Sequence, residues 1–118
     1  MRLSDDKKTE IRIFLKSVKK MVDSASTDVS KIIVANRQEF IDTITFFGWK
    51  MDDVLDILYN LTISDYRSGP EVNRNHPGAP LLWIFLYPYY GHELYIKISV
   101  GIHTSTQEET LFILSFHK

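Results

Sequence analysis

Leu94-Tyr95-Ile96-Lys97-Ile98-Ser99-Val100 alternates without a break. Leu94, Ile96, Ile98 and Val100 share one side, and Tyr95, Lys97 and Ser99 share the other. A period of two marks a β-strand with one face on a core and one face left free. That free face carries a phenol, an ammonium and a hydroxyl in a row. A second strand-like run, Leu111–Lys118, can pair with it and brings in a histidine.

The two runs are joined by the polar, acidic segment Gly101–Thr110, which reads as an exposed hairpin loop, so antiparallel pairing is expected. Taking Phe112, Leu114 and Phe116 as core residues, the core faces match when Val100 opposes Phe112, Ile98 opposes Leu114 and Ile96 opposes Phe116. Lys97 then lies opposite Ser115, and Tyr95 opposite His117, all on the free face. Directly opposed residues hold their Cβ atoms about 5 Å apart.

Upstream, Leu81–Tyr87 is apolar on both faces, the pattern of a central strand covered from both sides. Pro88–His92 is a turn. Thr62–Pro80, with Gly69, Pro70, Pro77, Gly78 and Pro80, reads as a long loop, and long ordered loops often carry function. It can add Arg67 and Glu71 to the free face.

The first half of the chain reads as helices. Ser4 is an N-cap, with Asp5 and Asp6 in the first turn where the helix dipole favours anions. Ile11, Phe14, Leu15, Val18 and Val22 follow helical spacing. Lys8, Arg12, Lys16, Lys19 and Lys20 collect on another face, either a solvated surface or a docking face for an acidic partner or an RNA backbone. Ser24–Ser30 is a loop, and Lys31–Ala35 is a short edge-strand candidate. Asn36 with Glu39 resembles a capping box. Phe40, Ile41, Ile44 and Phe47 form the apolar stripe of a second helix, which Gly48 stops. A third helix starts near Met51, buries Met51, Val54, Leu55 and Leu58, and runs out around Leu61. Helices followed by antiparallel strands predict one α+β domain over 1–118, with N-terminal helices packed on a C-terminal antiparallel sheet.

Composition sets the bounds. The 118 residues are 44% hydrophobic and 25% charged, enough for one ordinary core. No apolar run approaches the ~20 residues that span a bilayer, and no signal-peptide core follows the N-terminus. A cytoplasmic protein without membrane contact is expected. Cysteine is absent, which removes thiolate and disulfide chemistry. His76, His92, His103 and His117 have no metal-ligand spacing, so neither a metal nor another cofactor is expected. The net charge is −1, unsuited to a large non-specific nucleic-acid surface. Met1–Lys50 holds ten Lys/Arg against seven Asp/Glu, and Met51–Lys118 four against eight. A polyanion site in the second part must be built from few cations.

The free-face residues suit metal-independent RNA cleavage. Histidine is the favoured general acid or base near neutrality. Lysine and arginine stabilise charge on a phosphoryl group, and tyrosine holds a phosphate or stacks on a base.

Leu61-Thr62-Ile63-Ser64-Asp65-Tyr66-Arg67-Ser68-Gly69-Pro70-Glu71, Asn75-His76-Pro77-Gly78, Trp83-Ile84-Phe85, Leu94-Tyr95-Ile96-Lys97-Ile98 and Leu114-Ser115-Phe116-His117, with Val18–Val22 before them, resemble toxins of the motility quorum-sensing regulator (MqsR-like) family in order and spacing. The resemblance implies a RelE-like fold. It also implies an mRNA endoribonuclease (an mRNA interferase) that is the toxin of a type II toxin–antitoxin pair, with mRNA as substrate, ribosome-bound or free, and a cognate protein antitoxin as partner. Arg67 and His117 stand where the best-known members carry catalytic lysines. Tyr95 and Lys97 match the family's tyrosine and lysine, and Ile84 replaces a glutamine. The expected catalytic set is therefore His117, Arg67, Lys97 and Tyr95, with Glu71, Trp83 and Ser115 binding substrate. The second reading is a non-catalytic RelE-like module that binds protein or RNA through Trp83, Tyr87, Tyr89, Tyr90 and the basic helix face.

Overall fold

The computed structural model describes Arg2–Lys118. Helix α1 (Asp5–Ala25) begins where expected, with the Lys7 amide donating to the Ser4 hydroxyl at 3.1 Å. Ile11, Phe14, Leu15, Val18 and Val22 are all buried. A single 3₁₀ turn (Val29–Lys31) leads into β1 (Ile32–Val34).

Helix α2 (Arg37–Phe47) is capped by Asn36, whose side chain accepts from the Glu39 amide, and ends at Gly48 with φ 69°. Its stripe is Phe40, Thr43, Ile44 and Phe47, the i, i+3, i+4, i+7 set. Ile41, expected in that stripe, is 46% exposed. Buried Thr43 is tolerated because its hydroxyl donates to the Glu39 carbonyl at 2.9 Å. Helix α3 (Met51–Tyr59) starts with the Lys50 amide held by the Asp53 carboxylate at 2.8 Å and buries Val54, Leu55, Ile57 and Leu58.

The strands β2 (Tyr66–Glu71), β3 (Leu82–Tyr89), β4 (His92–Ile102) and β5 (Glu109–His117) join β1 in a sheet of order β1-β5-β4-β3-β2. The expectation of a purely antiparallel sheet is corrected. β1 runs parallel to β5, from Ile32↔Leu111 to Val34↔Ile113, so the sheet is mixed. The long loop is corrected as well. Its first part is a 3₁₀ turn (Ile63–Asp65) and edge strand β2, antiparallel to β3 with two register shifts, and the irregular segment shrinks to Val72–Leu81. Pro70 is admitted because an edge strand can lack an amide donor on one side. The β3–β4 turn is two residues, Tyr90 (φ 44°) and Gly91 (φ 81°), the positive-φ pair that matches strand twist in a hairpin.

Residues of all three helices form one buried cluster with Trp83, Phe85, Leu94, Ile96, Ile98, Leu111, Ile113 and Phe116. The helices thus cover one sheet face and leave the other to Tyr95 and Lys97. No helix among the described residues is long and apolar enough to cross a membrane.

The β4–β5 register departs from expectation at one point. Tyr95↔His117, Ile96↔Phe116 and Lys97↔Ser115 hold, but then Ile98 pairs with Ile113 and Val100 with Leu111. Leu114 is an extra residue, a bulge that switches the parity of β5. Phe112 and Leu114, expected in the core, lie on the open side, and Leu111 and Ile113 fill the core.

Candidate functional site

On the open face, β4 supplies Tyr95 and Lys97 and β5 supplies Ser115 and His117, each directly opposite its expected partner. The Tyr95 and His117 rings stack at 5.2 Å with 24° between planes. All four side chains are half-buried, so they are held yet reachable from solvent.

Glu71, at the end of edge strand β2, reaches across β3. Its Oε1 lies 3.5 Å from Lys97 Nζ. Both partners are solvent-open, with side-chain exposures of 27% for Lys97 and 44% for Glu71. Such pairs are worth about 0–1 kcal/mol, so an incoming phosphate can take over the ammonium.

Glu39 comes from the first turn of α2. Its Oε2 stands 4.0 Å from His117 Nε2, and Nδ1 of the same ring lies 3.0 Å from the Lys118 carbonyl oxygen. The other carboxylate oxygen, Oε1, is buried and has no hydrogen-bond partner among the described residues. Sequence reasoning missed Glu39 as a site residue because the capping-box pattern explains it locally. Only half of that box forms: Asn36 accepts from the Glu39 amide, and the Glu39 carboxylate turns toward His117 instead.

Two expected residues are placed apart. Arg67 is exposed on β2 at the register shift between Tyr66 and Ser68. Strands β3 and β4 separate β2 from β5, a distance of about 14 Å at ordinary strand spacing. Arg67 forms no ion pair within 4.0 Å among the described residues. Trp83 is corrected as a substrate contact. It is 7% exposed, lies on the helix-covered face, and stacks on Phe14 at 4.7 Å. Of the aromatics named for the module reading, Tyr87 and Tyr89 pack against the core, and Tyr90 is 89% exposed at its turn.

Beyond Lys97 the segment Val72–Leu81 folds over the open face. Pro80 sits on Gly101, where no Cβ would fit. Between this segment and the sheet is a cavity of about 560 Å³, bounded by Glu71, Asn73, Arg74, Asn75, Leu82, Lys97 and Leu114 among others. No three His, Asp or Glu side chains among the described residues are grouped to hold a metal ion.

No family model, curated protein or solved structure matches this chain. The chemistry of the site therefore rests on its own residues. An ammonium and a stacked imidazole–phenol pair on one open face can bind a phosphodiester and move a proton beside it.

Proposed function

We propose that the chain is an endoribonuclease acting on single-stranded RNA at this open face, an mRNA interferase of RelE-like architecture and the toxin of a type II pair. The observation that carries the reading is the adjacent rows Tyr95↔His117 and Lys97↔Ser115 on the face that the helices leave free. The ordered motifs that resemble the MqsR-like toxins support it, and so does the stacking of helices on one side of the sheet only.

In the reaction the ribose 2′-oxygen attacks phosphorus and the bond to the 5′-oxygen breaks. A 2′,3′-cyclic phosphate and a 5′-hydroxyl result. One proton leaves the 2′-hydroxyl and one reaches the 5′-oxygen; His117 carries one of these transfers and water the other. Lys97 stabilises the charge on the pentavalent phosphorus. Tyr95 fixes the imidazole by stacking, and its hydroxyl contacts the phosphate. Ser115 donates to a non-bridging oxygen. Arg67, exposed on edge strand β2, holds a flanking phosphate. The partner that silences the enzyme is a protein antitoxin, and the reaction takes place in the cytoplasm.

The second reading, RNA binding without turnover, draws on the carboxylates Glu71 and Glu39 set against Lys97 and His117. Cleavage of a defined RNA separates the two. Wild type yields 2′,3′-cyclic ends. His117→Ala lowers kcat by about 10²–10⁴, the usual contribution of a positioned acid or base. Arg67→Ala chiefly raises KM. A His117→Ala protein that cuts as fast as wild type overturns the proposal.

A further inference from the structure

Strand β1 pairs with Leu111, Phe112 and Ile113 only, so beyond the bulge β5 has a strand neighbour on one side alone. Helix α2 grips that stretch instead. Phe40 meets Phe116 edge-on at 6.0 Å. Phe46 stands two turns past Glu39 on the same helix face and holds the Lys118 ammonium 3.6 Å from its ring centre. Glu39 reaches the residue between them, His117. One of its carboxylate oxygens is buried with no hydrogen-bond partner among the described residues. Burying a charged acceptor in this way costs stability. Helix α2 does not need the carboxylate, because the Asn36 side chain already takes the Glu39 amide. A group that costs stability and serves no local structure is explained by what it faces. Glu39 Oε2 faces His117 Nε2 at 4.0 Å.

The other ring nitrogen fixes the proton count. Nδ1 lies 3.0 Å from the Lys118 carbonyl oxygen, which can only accept, so that contact assigns a proton to Nδ1. Nε2 then either turns a lone pair on a carboxylate or bears a second proton and pairs with it. At 4.0 Å the opposite charges attract, yet the gap is too long for a hydrogen bond, and the Nε2 proton stays unshared. We propose that Glu39 is a positioning residue that makes His117 the general acid of the cleavage, holding the ring as an imidazolium whose Nε2 protonates the leaving 5′-oxygen; the inference rests on the endoribonuclease reading above. The bond from phosphorus to the 5′-oxygen breaks with its electron pair left on that oxygen, which takes the Nε2 proton. The proton of the 2′-hydroxyl goes to water. Glu39 touches neither phosphorus nor ribose.

The test replaces the leaving atom. The linkage that wild type cuts in a defined RNA is remade with sulfur in place of its 5′-oxygen. A thiolate leaves without being protonated, so this second RNA has no need of a general acid. Both RNAs are given to wild type, Glu39→Gln and His117→Ala. On the 5′-oxygen RNA, Glu39→Gln is expected to lower kcat by about 10²-fold at unchanged KM, the cost of a misplaced catalytic group. On the 5′-thio RNA both variants are expected to cut as fast as wild type. Glu39→Gln is also expected to melt no lower than wild type, since it removes a buried charge. A Glu39→Gln protein that is as fast as wild type on the 5′-oxygen RNA, equally slowed on both RNAs, or slowed together with a lowered melting temperature overturns the positioning role. If wild type still cuts RNA through His117 in such a case, that role alone falls. If wild type cuts no RNA, the endoribonuclease reading falls with it.

Discussion

Phe14 seats the first helix. Its ring stacks on Trp83 at 4.7 Å with 13° between planes and lies 6.2 Å from Phe85, with only 9% of the residue exposed. Truncation leaves a void between α1 and β3 that neither rigid element can close. Phe14→Ala is expected to cost about 3–5 kcal/mol, read as a lowered urea midpoint at unchanged slope. Phe14 was legible because helical spacing marks a buried stripe whatever lies beneath it. His117 was legible too, since parity with Leu94–Val100 leaves it on the free side. Glu39 was not. Its partner lies 78 positions away on another element, and no periodicity in the chain encodes the 4.0 Å approach of its carboxylate to His117.

At the scale of elements, the bulge at Leu114 decides what the open face contains. Leu111-Phe112-Ile113-Leu114 is apolar on both faces, so alternation has nothing to report there, and a one-residue switch in parity passes unseen. The three pairs on the His117 side of the bulge were readable, because Ser115 and His117 break the apolar run. Strand β2 was hidden for a different reason. A glycine, a proline and two register shifts disguise an edge strand as a loop. The bulge turns Phe112 and Leu114 toward Val72–Leu81, which the contact of Pro80 with Gly101 holds against the sheet. Gly101→Val places side-chain atoms where Pro80 sits, and the segment must lift. The expected outcome is faster amide exchange confined to residues 72–81, with the melting temperature lowered by only a few degrees. Exchange unchanged in that segment would show that Pro80 does not hold it.

At the scale of the whole molecule, charge and fold separate two surfaces. The cations of α1 (Lys8, Arg12, Lys16, Lys19 and Lys20) ride on a helix that covers the closed side of the sheet. The candidate site offers Lys97, with Arg74 across the cavity and Arg67 exposed on edge strand β2. Three phosphate contacts by a single strand give a plot of log K against log salt with a slope of about −2. A slope of that size, unchanged in Lys16→Glu/Lys19→Glu, is expected for RNA held by the open face. A slope nearer −4 that the double variant reduces would place the strand along α1 instead. The helices and the His117 end of the β4–β5 pairing could be read from periodicity, because each is built from neighbours in the chain. The place of β1 could not, since a three-residue run carries no sign of which strand it will join.

That placement has a consequence for biosynthesis. β5 lies inside the sheet, between β1 and β4. A nascent chain has made α1, β1, α2 and α3 long before the strand that unites them emerges. Until then β1 has no neighbour and the apolar undersides of the helices have only half their cover. Contacts between residues so far apart in sequence form slowly. Strand β4, which carries Tyr95 and Lys97, gains its second neighbour only when β5 and His117 arrive.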